Sequence, residues 1–288
     1  INFGAVFGSL LPFILTAIGV ANVPAEGDKV ADSVIWSFYI GGAILLGAVL
    51  WTVFRTKEYP PEEYAAYNDI QEESEENKTD KNMWQLIVDA PKVFWQLGSV
   101  QFFSWFSLFL MWVYTTRAIA DHIWGPEALD AKSVGFNEAG DWTGVLFGFY
   151  SGVAAIYAFL IPSIVKMIGR KKTYSYSLIF GGLSFISIFF IQDKTLLLGS
   201  MVGIGVAWAA ILAMPYTLLS ECLPAKSMGV YMGLFNASIT LPQIAAGLFG
   251  GIILGLFGGS PIMMLVLAGV SMIIAGILVF TVKEKKSV

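Results

Sequence analysis

The stretch GVYMGLFNASITLPQIAAGLFGG, residues 229–251, carries a row of polar side chains within an apolar run. It is apolar enough to lie in a bilayer, yet Asn236, Thr240 and Gln243 fall at i, i+4 and i+7, on one face of a helix. An amide that faces lipid tails has no water partner and costs several kcal/mol. The stretch therefore predicts a membrane helix whose polar face meets protein or a water-filled pathway.

The composition places the whole chain in a membrane. It is 56% hydrophobic and 13% charged, with a mean hydropathy of +0.70, which indicates a polytopic membrane protein. The acidic residues gather in one loop, so the net charge of -4 does not indicate a nucleic-acid partner. Cys222 and His122 are the single residues of their kinds, which argues against disulfides, zinc or haem. We therefore expect no metal and no cofactor.

Eight apolar runs are long enough to cross about 30 Å of hydrocarbon, which takes about 20 helical residues. They lie near residues 3–21, 34–54, 93–116, 142–167, 174–191, 196–219, 228–250 and 261–281. A hydrophilic stretch with the acidic sequence QEESEENKTD separates the first two runs from the other six. The sequence predicts an all-α polytopic membrane protein.

The basic residues predict the orientation of these helices. Thirteen of the seventeen Lys and Arg residues fall on one side of the predicted spans: Arg55, Lys57, Lys78, Lys81, Lys92, Lys166, Arg170, Lys171, Lys172, Lys226, Lys283, Lys285 and Lys286. Because positive residues are retained inside, this side is predicted to be cytoplasmic. The linker and the C-terminal end are then both cytoplasmic.

The arrangement of the runs predicts the domains. Ile1 already enters an apolar helix, without the layout of a signal peptide. Two runs before the linker and six after it indicate two six-helix bundles, with four helices expected before Ile1. The predicted division is residues 1–54 as the last two helices of the N-terminal bundle, residues 55–92 as the cytoplasmic linker, and residues 93–288 as the C-terminal bundle.

Four segments resemble the sucrose-transporter-like branch of the major facilitator superfamily. MGVYMGLFNASITLPQIAAGLFGG at 228–251 is similar to the eleventh helix of that branch, where Gly-x-x-Asn followed by Pro-Gln recurs. WSFYIGG at 36–42 with RTKEYPP at 55–61 resembles the sixth helix and its exit. QFFSWF at 101–106 resembles the seventh helix, and MPY at 214–216, followed by Ser220 and Glu221, resembles the tenth.

This resemblance implies a fold and a function. It implies the major facilitator fold, with eight of an expected twelve transmembrane helices present. It also implies a sugar:proton symporter of the plasma (inner) membrane that works by alternating access and is not an enzyme. The expected substrate is a disaccharide or glucoside such as sucrose or maltose. Sodium stays open as the coupling ion, and the protein is expected to be a monomer.

Several polar and aromatic side chains are candidates for binding the solute. Asn236, Thr240 and Gln243 can both donate and accept hydrogen bonds to sugar hydroxyls, although such groups also join neighbouring helices. A tryptophan ring can cover the apolar face of a pyranose while Gln and Tyr address its hydroxyls; packing in the core or against lipid is the alternative. The further candidates are Gln101, Trp105, Tyr114, Tyr150 and Trp208.

The charged residues give two more predictions. No Asp or Glu lies deep in any of the eight runs, and Asp141 falls at an outer end. A desolvated carboxylate is the common proton carrier in transporters, so we expect the coupling acid in the four preceding helices. Arg117 is the one charge expected to face a cavity, with snorkelling to the surface as the alternative.

A cytoplasmic gate is predicted where Glu221, at the end of one run, meets Arg170 and Lys171. A plain interfacial acid is the alternative. Pro242 is expected to bend its helix. Glycines spaced four apart, at 144, 148 and 152 and at 247, 251 and 255, are expected to let helices approach closely, with a moving gate surface as the alternative. The alternative functions are a facilitator or exporter of another polar solute, and a nontransporting receptor or scaffold.

Overall fold

The computed structural model describes residues 2–24, 30–57, 83–223 and 228–283. All regular structure in these ranges is helical. We number the α-helices in chain order: α1 Asn2–Ala17, α2 Asp32–Arg55, α3 Met83–Val88, α4 Lys92–Ile119, α5 Val134–Ile168, α6 Arg170–Ser187, α7 Leu197–Ser220, α8 Met228–Phe235, α9 Ala237–Leu256 and α10 Pro261–Leu278.

The apolar helices confirm the predicted class. In the described ranges, seven helical segments are long and apolar enough to cross a membrane, judged by length and composition, and α1 is a shorter apolar helix. The chain is therefore an all-α, multi-pass membrane protein. The domain boundaries stay a prediction, because most of the proposed linker, residues 58–82, lies outside the described residues.

The helices pack against one another in the order α9, α4, α10, α6, α7, α5, α1 and α2. Because α4 also touches α5 and α7, the helices α4, α5, α6, α7 and α10 close around a common core. α2 packs mainly on α1, and α9 packs mainly on α4, so these two helices leave most of their apolar surface uncovered.

Glycines set the closest helix contacts in this core. A Cβ at Gly182 of α6 would lie 2.6 Å from Ile273 Cγ1 and 2.7 Å from the Gly269 carbonyl oxygen of α10. Ser175 donates a hydrogen bond to the Gly276 carbonyl oxygen at 2.7 Å along the same contact. Small residues and interhelical hydrogen bonds replace the hydrophobic effect where helices meet inside a membrane.

One of the two predicted glycine rows makes a close helix contact. On α5, a Cβ at Gly144 would lie 2.5 Å from the Ser9 carbonyl oxygen of α1, and a Cβ at Gly148 would lie 3.0 Å from Leu10 Cγ. On α9, by contrast, a Cβ at Gly251 would meet nothing within 4 Å. Close packing is thus found at Gly144 and Gly148, whereas Gly251 and Gly255 make no such contact with the described residues. α9 instead meets α4 at Gly250.

Two helix boundaries differ from the sequence prediction. The predicted span 228–250 is divided into α8 and α9 at Asn236, whereas α9 continues as regular helix through Pro242. The break therefore falls six residues before the proline that was expected to bend the helix. α5 begins at Val134, eight residues before the predicted start of its span, so Asp141 lies within the helix although it precedes the apolar run.

Candidate functional site

Three tryptophans form a cluster between α4 and α7, which we call the tryptophan cluster. Trp105 and Trp112 are seven residues apart on α4 and so lie on one face, two turns from each other. Trp208 of α7 meets both rings, with centroid distances of 5.8 Å to Trp105 and 5.8 Å to Trp112. The contacts to Trp208 are edge-to-face, which suits the quadrupoles of the rings.

Close packing of α7 on α5 brings Trp208 to this position. A Cβ at Gly205 would lie 2.5 Å from the Tyr150 carbonyl oxygen, so only glycine lets the two helices come so near. Trp208 follows one turn later on α7. The Trp112 indole Nε1 donates to the buried Tyr150 hydroxyl at 3.2 Å. The Trp208 Nε1 donates to Asn2 Oδ1 of α1 at 3.2 Å, so four helices meet at the cluster.

Three polar side-chain atoms on α4 are buried without a hydrogen-bond partner in the described part of the chain, namely Trp105 Nε1, Gln101 Nε2 and Ser107 Oγ. The first two are N–H donors and lie one helical turn apart. The other end of the Gln101 amide is used: its Oε1 accepts from the Tyr174 hydroxyl at 3.3 Å. A buried donor that lacks a partner costs about 1–3 kcal/mol, so these two groups are suited to an incoming acceptor.

The polar stripe on α9 is separate from the tryptophan cluster. Asn236 Oδ1 accepts from the Tyr216 hydroxyl of α7 at 2.9 Å, and Thr240 Oγ1 bonds back to the Asn236 carbonyl oxygen at 3.4 Å. Gln243 is half-buried and has no hydrogen bond to any residue that the structure describes. No hydrogen bond or ring contact between described residues joins this stripe to the cluster.

Two other sequence candidates on α4 lie away from the tryptophans. A Cβ at Gly250 would lie 2.7 Å from the Tyr114 hydroxyl oxygen, so this hydroxyl belongs to the contact between α4 and α9. Arg117 is exposed near the end of α4 and pairs with no carboxylate in the described ranges.

The predicted gate residues lie near one another at the ends of α6 and α7. The Arg170 guanidinium is ion-paired with the Glu221 carboxylate. Lys171 follows on α6 and is half-buried. Because α6 and α7 pack directly on each other, the ion pair joins two neighbouring helices, both within the predicted C-terminal bundle. It does not join the two predicted bundles.

The ion pair gives a prediction about stability and transport. Its side chains are 39% and 44% exposed, so solvent screens it, and we expect Glu221→Gln to lower the free energy of unfolding by less than about 1 kcal/mol. Thermal unfolding in detergent measures this change, with Lys171→Gln as the neighbouring control. A gate role requires in addition that Glu221→Gln shifts the balance of inward- and outward-facing states. Unchanged transport kinetics would leave the pair a local helix contact.

Sequence reasoning missed Trp112 and Asn2. The seven-residue spacing of Trp105 and Trp112 was a signal for the first. The second is paired with a residue 206 positions away, and no local pattern indicates such a contact.

The described ranges offer no metal centre. No group of three or more His, Cys, Asp or Glu side chains there could hold a metal ion. One cavity of about 430 Å³ lies between α4 and α9, but its lining is apolar and includes none of the tryptophan cluster.

Comparison with known proteins adds one match. The family model described as Major Facilitator Superfamily matches residues 128–288. A search of curated proteins finds no match to the chain.

Proposed function

We propose that this chain, which belongs to the major facilitator superfamily, carries a sugar across the membrane together with a proton. Family membership makes it a membrane transporter, which implies a lipid bilayer and a small-molecule substrate. Sugar as the solute and proton symport are our proposal, supported by the resemblance of its segments to the sucrose-transporter-like branch. The expected substrates are disaccharides or glucosides such as sucrose and maltose.

The tryptophan cluster is the observation that carries the sugar proposal. Aromatic rings offer flat apolar surface to the C–H face of a pyranose, while a few polar groups fix the orientation of a ligand. Trp105 Nε1 and Gln101 Nε2 are two such groups, because both are buried donors that lack acceptors. A sugar hydroxyl accepts hydrogen bonds and so satisfies either donor.

The polar stripe of Asn236, Thr240 and Gln243 is divided between two roles in the proposal. Asn236 already bonds Tyr216, which supports its role as a contact between α9 and α7. Gln243 lacks such a partner in the described part of the chain, and so we assign it, with Thr240, to the lining of the pathway. The break between α8 and α9 at Asn236 is where we expect the helix to adjust during alternating access.

These roles predict different outcomes for two substitutions. We expect Gln243→Leu to weaken sugar affinity about tenfold, the effect of losing one or two hydrogen bonds of about 1 kcal/mol. We expect Tyr216→Phe to leave affinity unchanged and to lower thermal stability, because it removes only the bond to Asn236. Binding isotherms at matched membrane abundance measure both. If Tyr216→Phe lost affinity while Gln243→Leu kept it, the two assignments would be reversed.

The orientation is part of the proposal. We place the linker and the C-terminal end in the cytoplasm of a plasma-membrane transporter, because thirteen of the seventeen basic residues fall on that predicted side. We take the protein to act as a monomer, with no chemical step in its cycle.

Counterflow in proteoliposomes tests this function. Vesicles loaded with unlabelled sucrose, maltose or another disaccharide should accumulate the labelled sugar transiently, and an inward proton gradient should drive net uptake. Replacing the proton gradient by a sodium gradient distinguishes the two coupling ions. Counterflow without gradient-driven uptake would identify a facilitator, and failure with every sugar would reject the proposed substrate class.

A further inference from the structure

A chain of side-chain hydrogen bonds joins Ser33 of α2 and Asn22, which follows α1, to Asp141 of α5. Asn22 Nδ2 donates to Asp141 Oδ2 at 2.8 Å, and Asn22 Oδ1 accepts from Ser33 Oγ at 3.1 Å. Both ends of the Asn22 amide are therefore in use. Asp141 and Asn22 are 119 positions apart in the chain, so this contact is a purely tertiary one.

Two hydrogen bonds hold Asn22 and its neighbour Ala21 beside the start of α2. Ser33 is fully buried at the start of α2, and its backbone N–H donates to the Ala21 carbonyl oxygen at 3.0 Å. These bonds hold Asn22 beside the start of α2, and from there its amide donates to Asp141 of α5. The Thr16 side chain, near the end of α1, also interacts with the Asp141 carboxylate. Thr16 and Asn22 thus face one carboxylate of α5, and Ser33 of α2 bonds Asn22 from its other side.

Asp141 is the group in this network whose charge changes with pH. Among the described residues, Thr16 and Asn22 face it from α1 and from the residues that follow α1, and both side chains are neutral, as is that of Ser33 behind Asn22. Glu138, three residues earlier on α5, is the charged neighbour that acts on the carboxylate in the described ranges. Asp32, beside Ser33 on α2, is exposed.

We propose that the Asp141 carboxylate latches Asn22, and with it the end of α1, onto α5 and releases it on protonation. A hydrogen bond to a charged acceptor is roughly twice as strong as one between neutral groups. The bond from Asn22 is therefore strong while Asp141 is ionised, and it weakens as the pH falls and the carboxyl gains a proton.

The place of the latch connects it with transport. α1 is bonded to the tryptophan cluster at its first residue, through Asn2 and Trp208. The latch lies beyond the other end of α1, about 24 Å away for a helix of 16 residues. Between the two, the glycine row of α5 holds α1 closely. Release at Asp141 would free one end of α1 while the other stays attached to the candidate site.

This inference rests on the proposed function only in treating the α1–α5 contact as one that opens during transport. Its test does not use a solute. With Cys222 replaced by Ser, spin labels are attached at Val23→Cys and Val134→Cys, which are exposed positions outside the network. The distance between the labels is measured by electron paramagnetic resonance at about pH 7.5 and about pH 3, a range that contains the ordinary aspartate pKa of about 3.9.

We expect the ratio of long to short distances to rise about tenfold on acidification, the effect of losing one charge-assisted hydrogen bond. Asp141→Asn, which mimics the protonated acid, should show the long distance at both pH values, as should Asn22→Ala. Glu138→Gln, the matched control on α5, should respond to pH as the unmodified protein does.

The latch is overturned if the distances do not depend on pH, or if Asp141→Asn and Asn22→Ala both keep the pH response. A pH response that disappears in Glu138→Gln and persists in Asp141→Asn would show that Glu138 takes up the proton. That result would also overturn the latch. Failure of every sugar in counterflow would reject the proposed substrate and leave these distances unaffected.

Discussion

Replacing Trp105 by Ala should weaken solute binding about hundredfold. The substitution removes the ring that meets Trp112 and Trp208, together with the buried indole donor. Loss of a buried aromatic surface and one hydrogen bond amounts to about 3 kcal/mol, and each 1.4 kcal/mol is a factor of ten in affinity. Equilibrium binding of the sugar identified by counterflow measures the effect.

Two further variants separate the ring from its donor and from general damage. Trp105→Phe keeps an aromatic ring and loses Nε1, so its affinity should fall about tenfold. Trp95→Ala truncates another tryptophan of α4, which is 52% exposed and lines the apolar cavity between α4 and α9. The affinity of this variant for the solute should not change. Equal losses in Trp105→Ala and Trp95→Ala would show that the cluster is packing alone and does not bind the solute.

Gly182→Ala should produce the largest loss of stability of the substitutions proposed for this chain. The new Cβ would lie 2.6 Å from Ile273 Cγ1 and 2.7 Å from the Gly269 carbonyl oxygen, and backbone atoms cannot rotate away. Overpacking of this kind costs about 1–3 kcal/mol. We expect a lower midpoint of thermal unfolding in detergent and less protein in the membrane.

The matched control makes the same change where there is room. Gly251→Ala of α9 meets nothing within 4 Å, so it should be neutral or should stabilise the helix by about 0.5–1 kcal/mol. We therefore expect Gly182→Ala to lower the stability, whereas Gly251→Ala should leave it unchanged or raise it. If Gly182→Ala were as stable as Gly251→Ala, the close contact between α6 and α10 would not hold the bundle together.

The candidate site could be predicted only in part, because its members come from different helices. The sequence identifies Trp105 and Trp208 as side chains that suit a sugar, but no local pattern predicts that their rings are in contact. Their contact depends on Gly205, which lets α7 approach α5. The α9 stripe shows the reverse case: its three residues are near in sequence, yet Asn236 turns to Tyr216 while Gln243 does not share that contact.

Boundaries were predicted less well than helices. The eight residues VGFNEAGD, from Val134 to Asp141, precede the apolar run predicted from residue 142, yet they form the first turns of α5. Ser133 caps this helix by accepting a hydrogen bond from the Phe136 backbone N–H at 3.0 Å. A membrane helix that extends past the hydrocarbon keeps its backbone bonds while its side chains become polar, so hydropathy alone ends it too early.

By itself, the sequence determined that this protein is an all-α, multi-pass membrane protein, because long apolar runs must bond their own backbone as helices in lipid. It also displayed the segments that resemble a transporter family. Only the tertiary structure decided which polar groups meet. The contacts of Trp208 with Asn2 and of Asp141 with Asn22 join residues more than a hundred positions apart. Such contacts depend on how closely the helices pack, and the order of the residues alone does not predict that distance.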